Sequence, residues 1–504
     1  MAASSVPAPA EALHVLCVCV GEHGHMIPML NVAEAVRKLG HRVTISAPAM
    51  QAGHFTRQIE AIGAHCEPID IGIKDEDEWS RRKAARSVIP FLPLLELMRE
   101  PTKEAMRRLK PQVVVSDFAT IAGAESANEL GIPLVVNFPG PLDMLCKIMA
   151  LPDAGMNFEF CGFHLGFNSF DGLKFASFLN IKRLGDFTGN ILKNLDNAKV
   201  IVHSFFGLDA PRMLPPFVRL VGPVCPPGDD LETRFRRDSA ALHEWLHRPG
   251  ASPVVVITTG SMIALHDWQV AALFNGVKKA GLRAVWGLKK PQQAFLPSAE
   301  DPDVWVQSWI PQAELLNDAA VKVVITHCGW GGTLECLRAG KPVVGLPFFG
   351  DQPANADIVR SAGCGELIGK PPLLVMKAEN KWKQGSFTAT TVAELLRRVL
   401  ADPRYAAAAQ RMRRPALACG GAAEAAREIE LTARYGNSHL HSSGLRRTFG
   451  GDPFSGPLLA WALAMAAAAA ARHRRKGPKG LAAACCCCAL GAAGALRLLR
   501  AWQR

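Results

Sequence analysis

The stretch WIPQAELLNDAAVKVVITHCGWGGTLECLRAGKPVVGLPFFGDQ, residues 309–352, decides the fold. Its apolar run at 321–326 predicts a buried strand. Residues 327–333 contain three glycines and predict a turn, and a helix is predicted over 334–339, where Gly340 ends it. A strand, turn and helix in this order direct unpaired backbone N–H groups and the positive helix end at one point. The pattern therefore predicts an anion site, most often for phosphate.

Two side chains extend this anion site. His327, at the turn, can add a side-chain hydrogen-bond donor. Glu335, just inside the predicted helix, lies where ribose hydroxyls would fall if the anion were a nucleotide diphosphate. Because glycine turns after strands often serve only as turns, the segment alone is also compatible with a structural role.

The whole stretch resembles the nucleotide-sugar signature of the UDP-glycosyltransferases. It opens with Trp-x-Pro-Gln, continues with Thr-His-x-Gly-Trp, Thr-Leu-Glu and Gly-x-Pro, and closes with Asp-Gln, in that order and without insertion. The resemblance covers roughly residues 13–436. It implies the α/β fold called GT-B, in which two doubly wound, Rossmann-like parallel-sheet domains face each other across a cleft.

The rest of the chain alternates strands and helices, which is typical of parallel sheets covered by helices. In the first half, short apolar runs predict strands at 13–20, 42–47, 112–116, 133–137, 197–204 and 218–224. In the second half, strands are predicted at 254–258 and 283–287, and helices at 267–280, 391–400 and within 422–435. Residues 50–110 are predicted to be helical and loop-like.

Composition and turn signals divide the chain into four parts. Residues 1–225 are predicted to be an N-terminal, acceptor-binding domain, and 226–250 an inter-domain linker that begins with two prolines. Residues 251–440 are predicted to be a C-terminal domain that binds the UDP-sugar. Residues 441–504 form a basic tail rich in alanine and cysteine.

Two residues of the first half are candidates for catalysis, because ligands of such sheets bind at the carboxyl ends of the strands. His25 follows the first strand and Asp117 ends a later one. Position alone favours an idle histidine and a helix-capping aspartate. Gly24-His25-x-x-Pro28, however, is similar to the first loop of the family, whose histidine is the general base. The resemblance therefore implies that His25 is the base and that Asp117 fixes its tautomer, while His23 is a loop residue.

The resemblance also implies a donor site, residue by residue. Trp309 would stack on uracil, Gln312 would lie near the nucleobase or ribose, and Glu335 would bind ribose hydroxyls. Asp351 and Gln352 would bind sugar hydroxyls, and the glutamine favours glucose. The diphosphate would be held by the following residues, partly through backbone amides: Ser261, His327, Gly329, Trp330, Gly331, Gly332 and Thr333.

One position departs from the plant members of the family, which have Asn-Ser where this chain has Gly331-Gly332. Two side-chain donors are lost there, and the backbone can approach a ligand more closely. No pair of carboxylates is spaced like a metal-binding motif. The resemblance implies an inverting transfer that needs no metal and no cofactor beyond the UDP-sugar co-substrate.

The acceptor is suggested by residues 140–179, an apolar and irregular segment with several Phe and Met residues. Long aromatic loops in α/β domains often line a pocket or lid. In the resembling family this part of the chain walls the acceptor site, which implies a small lipophilic acceptor. A monomer is expected.

Charge excludes a nucleic-acid partner. Of the formal net charge of +12, +9 lies after residue 440, which leaves the body nearly balanced. The tail contains two uncharged 16-residue runs, 456–471 and 481–496, each shorter than the roughly 20 residues of a spanning helix. Three interpretations of the tail remain open: a membrane hairpin, a basic interfacial anchor with acylated cysteines at 485–488, or a disordered tail. Association with a membrane surface is slightly favoured.

Cysteine usage and the amino terminus favour a cytoplasmic protein, on the cytosolic face of a membrane if the tail binds one. The 14 cysteines are scattered or consecutive, without the spacing of a disulfide framework or a structural zinc site. The first 12 residues lack the basic start and apolar core of a signal peptide.

Alternatives to a transferase acting on a small acceptor remain open at this point. The tail would favour a sterol or lipid acceptor. An epimerase or hydrolase of the same architecture would not need the apolar segment. A non-catalytic protein that binds a UDP-sugar or lipid would not need His25 and Asp117 together.

Overall fold

The computed structural model describes residues 11–75, 77–79, 92–148, 195, 197–225, 231–298, 300–371 and 380–441. These residues belong to one compact unit. Most of the apolar segment predicted to wall the acceptor, residues 149–179, lies outside the described residues, as does the tail from residue 442.

The first half forms a seven-stranded parallel sheet with the strand order β3-β2-β1-β4-β5-β6-β7. Its strands are β1 (His14–Val18), β2 (Arg42–Pro48), β3 (His65–Ile69), β4 (Val113–Asp117), β5 (Leu134–Phe138), β6 (Ala198–Val202) and β7 (Val218–Leu220). The helices of this half are α1 (His23–Lys38), α2 (Ala49–Ala52), α3 (Thr56–Ala61), α4 (Leu92–Leu109), α5 (Ile121–Glu129) and α6 (Leu142–Ile148). The order of strands reverses between β1 and β4, where ligands bind in doubly wound sheets.

The second half forms a six-stranded sheet with the order β10-β9-β8-β11-β12-β13, also parallel. Its strands are β8 (Val254–Thr258), β9 (Arg283–Gly287), β10 (Val304–Gln307), β11 (Val321–Thr326), β12 (Val343–Gly345) and β13 (Gly365–Leu367). The helices are α7 (Leu231–Asp238), α8 (Ala240–Leu246), α9 (Asp267–Ala280), α10 (Lys290–Gln293), α11 (Gln312–Asn317), α12 (Trp330–Arg338), α13 (Gln352–Ser361), α14 (Ala389–Ala401), α15 (Pro403–Ala418) and α16 (Gly421–Tyr435). The two sheets confirm the predicted fold class.

Both faces of the second sheet are buried, which explains why its strands are continuous apolar runs. Val254 and Val256 belong to one hydrophobic cluster, with Phe205 and Phe235. Val255 and Ile257, which point the other way, belong to a second cluster that contains Trp286. Within this sheet the carboxyl ends of β8 and β11 lie side by side, since Thr258 and Thr326 are register partners.

Helix α16 returns to the first sheet. Ala425, Ala426 and Ile429 are fully buried in the same cluster as Val15 and Cys17 of β1. After the helix, the Asn437 side chain donates to the backbone oxygens of Leu134 (2.7 Å) and Asn197 (3.0 Å). The last helix of the compact unit is therefore part of the core of the first sheet.

Three predictions about secondary structure are wrong in detail. Strand β3 was not predicted, because HCEPI is only partly buried and contains Pro68, which an edge strand tolerates. Helix α1 begins at His23, so His23 and His25 lie in its first turn and not in a loop. Helix α12 begins at Trp330, so Gly331 and Gly332 are helical and not part of the turn. The first N–H groups of a helix have no partner within it, so those of Gly331 and Gly332 remain donors toward a ligand.

Candidate active site

The side chains of His25 and Asp117 meet at the carboxyl edge of the first sheet. Nδ1 of His25 lies 3.0 Å from Oδ1 of Asp117. The second oxygen of Asp117 accepts from the backbone N–H of Ala119 and the hydroxyl of Thr120, each at 3.1 Å. With the carboxylate held from one side, its other oxygen faces the imidazole and places the ring proton on Nδ1, which leaves the lone pair on Nε2.

The pKa of His25 is shifted by opposing influences. Burial is the largest single one and lowers the pKa. The charge of Asp117 and its hydrogen bond raise it, the charges of Glu22 and Asp351 add to this, and the net result is a raised pKa. Asp351 belongs to the second half of the chain; burial raises its pKa, and the charge of His25 is one of the influences that oppose this. The two halves therefore contribute to one electrostatic environment.

The glycine turn after β11 is built around the ring of His327. A Cβ on Gly260 would lie 2.6 Å from Nε2 of His327, and a Cβ on Gly329 would lie 2.5 Å from the same atom. Gly260 also has a φ of +73°, which favours glycine. The turns that follow β8 and β11 thus both pack against one imidazole, and neither tolerates a side chain there.

The imidazole of His327 is kept neutral by its burial. Burial lowers the pKa of His327 to about 4, although a hydrogen bond to the backbone of Thr258 opposes the change. At neutral pH the ring is uncharged and has one N–H, which the hydrogen bond to the backbone oxygen of Thr258 uses. Cys328, the next residue, has a φ of +60° with a buried side chain. Non-glycine residues with a φ in this left-handed range are strained and cluster at functional sites.

Glu335 and Gln312 form one hydrogen-bonded pair beside this turn. Nε2 of Gln312 donates to Oε2 of Glu335 at 2.6 Å. Burial raises the pKa of Glu335 to about 6, against the effect of this hydrogen bond. A Cβ on Gly332 would lie 3.5 Å from Nε2 of Gln312, and one on Gly331 would meet nothing within 4 Å. The departure at Gly331-Gly332 therefore leaves open space at the start of α12.

Trp330 and Thr333 have buried side chains. The indole Nε1 of Trp330 donates to the backbone oxygen of His203 at 2.7 Å, which ties α12 to the segment after β6. This side chain is occupied within the protein, so only the backbone of Trp330 is left for a ligand. The hydroxyl of Thr333 is buried and has no hydrogen-bond partner within the described part of the chain.

Asp351 and Gln352 lie at the start of α13, as neighbours of the turn. Oε1 of Gln352 accepts from the backbone N–H groups of Phe348 (2.9 Å) and Phe349 (3.3 Å). Its amide nitrogen is thus the part of the side chain that is left to bind a sugar hydroxyl. Asp351 is exposed on the surface of the site, yet desolvation raises its pKa, against a hydrogen bond from Asn355.

Ser261 and Trp309 complete the set and are both exposed. Ser261 follows Gly260 in the turn after β8, so it lies beside the turn of His327. Trp309 lies between β10 and α11 with 76% of its surface accessible. An exposed indole face is available for stacking.

Comparison with known proteins gives the family. Residues 175–406 match the model of the UDP-glucuronosyl and UDP-glucosyl transferases. The UDP-glycosyltransferase stmC of Aspergillus ustus is 23% identical over 446 residues, 76% of this chain and 79% of that protein. The scopoletin glucosyltransferase of Nicotiana tabacum is 22% identical over 411 residues, which is 71% of this chain and 85% of its own length. The family model and the relatives together support a UDP-glycosyltransferase.

Solved structures agree with the GT-B fold of this family. The structure of Os79 from O. sativa in complex with UDP covers 83% of this chain and 99% of its own, at 19% identity and a TM-score of 0.63. The structure of the calicheamicin glycosyltransferase CalG4 has a TM-score of 0.58 at 21% identity. At these identities the likeness concerns the fold alone.

Sequence reasoning missed Asn355 in this UDP-glycosyltransferase. Its Nδ2 donates to the backbone oxygen of Cys328 at 3.0 Å and to Oδ2 of Asp351 at 2.7 Å. One side chain therefore fixes both the strained turn and the carboxylate predicted to hold the sugar. The available signal was the spacing from Asp351 to Asn355, which places both on one helix face.

The predicted membrane association of this UDP-glycosyltransferase is not supported. No helix within the described ranges is long and apolar enough to cross a bilayer. The tail that carried the prediction begins where the described residues end.

Proposed function

We propose that this UDP-glycosyltransferase transfers a hexosyl group, preferably glucose, from a UDP-sugar to a hydroxyl of a small lipophilic acceptor, with inversion at the anomeric carbon. The first domain, 1–225, binds the acceptor and the second, 251–440, binds the donor. One observation carries the proposal: the 3.0 Å contact between His25 and Asp117, within the electrostatic reach of Asp351.

The first requirement of the reaction is a base. Nε2 of His25 takes the proton of the acceptor hydroxyl as its oxygen attacks the anomeric carbon. Asp117 stabilises the imidazolium that forms, because its charge lies against the protonated Nδ1. A positioned base of this kind contributes about 10²–10⁴-fold to the rate.

The second requirement is a stable leaving group. The bond between the anomeric carbon and the diphosphate oxygen breaks on the face opposite the attack, and its electron pair leaves with UDP. Donors for this charge are the first N–H groups of α12 and the hydroxyl of Ser261. Because these donors are held in place before the reaction, the proposal includes a transfer that needs no metal.

Two pairs of side chains beside the turn support the choice of donor. The Gln312–Glu335 pair offers a carboxylate to ribose hydroxyls. Asp351 and the amide nitrogen of Gln352 offer an acceptor and a donor to sugar hydroxyls, which is the basis of the preference for glucose. Two relatives are named for glucosyl transfer to small aromatic compounds, the scopoletin glucosyltransferase and a cinnamate β-D-glucosyltransferase of Fragaria ananassa.

The test is a panel assay. Purified full-length protein is mixed with UDP-glucose, UDP-galactose or UDP-glucuronic acid and a set of phenolic, terpenoid and sterol alcohols. UDP release and product mass are measured, and the anomeric configuration is read by NMR. We expect a β-glucoside from UDP-glucose and an unchanged rate in EDTA.

Each alternative has its own outcome. A glycoside formed only with sterols would replace the small acceptor with a lipid. UDP release without an acceptor would indicate a hydrolase. UDP-sugar binding with no product from any acceptor would identify a binding protein and overturn the proposal.

A further inference from the structure

A second cluster of reactive side chains lies at the opposite end of α11 from Gln312. It consists of His243 and His247 from α8 and its C-terminal cap, and of Asp318, which follows α11. One ligand atom of each residue lies within 4.8 Å of the other two. The mechanism proposed above uses none of these three residues.

The geometry of the cluster is close to that of a chelate. His243 and His247 are four residues apart, so they lie on one face of the helical segment, with ring centroids 4.5 Å apart. Nε2 of His247 lies 2.9 Å from Oδ2 of Asp318. Ligand atoms around a tetrahedral zinc ion, with bonds of about 2.0–2.1 Å, lie roughly 3.3 Å from one another. An ion could therefore replace the proton between His247 and Asp318 with little movement of either side chain.

The remaining atoms of the cluster are consistent with binding of a metal ion. Nε2 of His243 is buried and makes no hydrogen bond within the described residues, while Oε1 of Glu232 lies 3.4 Å away. The Asp318 side chain is 2% exposed. Its Oδ1 accepts from the backbone N–H of Ala320 at 2.7 Å, which leaves Oδ2 directed at the imidazole. A buried carboxylate held on one side is a pre-oriented ligand.

The charges nearby favour a cation. The carboxylates of Asp318 and Glu232 lie on either side of the two imidazoles. The nearest cation on Asp318 is Lys341, whose Nζ donates to its backbone oxygen at 2.8 Å and not to the carboxylate. Glu232 is shared with Arg236 at 2.7 Å. The Asp318 carboxylate is therefore neutralised by no lysine or arginine contact within the described residues.

We propose that His243, His247 and Asp318 bind a late first-row divalent cation of the zinc class, with water or Glu232 in the fourth position. Two imidazoles and a carboxylate suit such ions. The site is structural, because the bound ion joins α8, which lies within the predicted linker, to the end of α11. It is separate from the transfer reaction, which the proposed function assigns to residues at the other end of α11.

The experiment uses full-length protein without a polyhistidine tag, stripped of metal with EDTA. Cobalt(II) replaces zinc as the probe, because its visible d–d band reports coordination and its thiolate charge-transfer band reports cysteine ligands. Hydrogen exchange of α8 and α11 is measured with and without zinc. The variants are His247→Gln, Asp318→Asn and His243→Gln, each checked for folding by circular dichroism.

The matched control is His65→Gln. His65 is another exposed imidazole beside a carboxylate, 3.7 Å from Glu67, without a second histidine in that ion pair. We expect one cobalt ion with a d–d band free of thiolate character, and slower exchange of α8 and α11 with zinc. Affinity should fall in each ligand variant by more than the roughly 10–100-fold typical of an outer-shell change, and stay unchanged in the control. Equal affinity in all folded variants, or cobalt bound only through thiolates, would overturn the site.

Discussion

Replacing Asp117 with Asn tests the proposed base most directly. The carboxylate makes three contacts, to His25 (3.0 Å), Ala119 (3.1 Å) and Thr120 (3.1 Å). The amide oxygen of Asn can keep accepting from Ala119 and Thr120. Its amide nitrogen then faces Nδ1 of His25, where two donors would meet. To avoid this, the imidazole must move its proton to Nε2, the atom that has to accept from the substrate.

The size of the effect follows from the charge that is lost. In the transition state the imidazolium lies against Asp117, with charge centres about 4 Å apart and an interaction of ~4 kcal/mol at an effective dielectric constant of 20. A loss of 1.36 kcal/mol is a tenfold loss in rate, so removing this interaction lowers kcat by about 10³. UDP affinity should stay within a few-fold, since Asp117 belongs to the first sheet.

The pH dependence gives a second, signed readout. The base form of His25 is neutral, so kcat/KM falls as the pH drops through its raised pKa. Burial lowers this pKa and the charge and hydrogen bond of Asp117 raise it. With Asn at position 117 the effect of burial prevails, and the acidic limb of the profile moves to lower pH. The profile is measured by UDP release with saturating UDP-glucose.

Asp70→Asn is the control, because Asp70 is exposed and accepts only from the backbone of Gly72 at 2.8 Å among the contacts described. It should change neither the rate nor the profile. A fall in kcat of less than about tenfold in folded Asp117→Asn protein would refute the role of Asp117. An acidic limb that stays in place would refute the assignment of that limb to His25.

Three further predictions concern the donor half and the core. Glu335→Gln should remove the pH dependence of UDP-glucose affinity near pH 6: in the unmodified protein the Kd for UDP-glucose, whose diphosphate does not titrate in this range, should fall as the pH rises through about 6, where Glu335 loses its proton, and calorimetry across this range checks both proteins. Gly329→Ala should cost about 1–3 kcal/mol of UDP binding or stability, because the new Cβ would lie 2.5 Å from His327; Gly331→Ala, whose Cβ meets nothing within 4 Å, is its control, and equal losses in both would contradict the packing argument. Trp330→Phe should lower the free energy of unfolding by about 1–3 kcal/mol, since the buried oxygen of His203 loses its 2.7 Å donor; a denaturant titration with an unchanged midpoint would count against this contact.

Three of the six strands of the second sheet could be predicted with their edges from the sequence, because these strands are continuous buried apolar runs. Val254–Thr258, Arg283–Gly287 and Val321–Thr326 have the predicted bounds. Predictions of secondary structure failed where the same residue type occurs both in turns and in helices. The glycines predict a turn at Gly331, but this residue lies in the first turn of α12.

The contacts that join distant parts of the chain could not be predicted. Asn355 reaches the backbone of Cys328, and the indole of Trp330 reaches that of His203. A backbone oxygen has no sequence signature, so nothing in the residue types marks it as a partner. The pairing of His25 with Asp117 was expected only because the chain resembles a known family.

The return of α16 to the first sheet has a consequence for synthesis on the ribosome. β7 ends at Leu220 and α16 begins at Gly421, so roughly 200 residues are made between them. At about 5–20 residues per second this takes about 10–40 s. During that time α16 has not yet been synthesised. The face of the first sheet that it covers, which includes Val15 and Cys17, therefore lacks its contacts with Ala425 and Ile429. In this interval the nascent chain exposes an apolar surface that a chaperone can bind. The interval ends when α16 emerges from the ribosome.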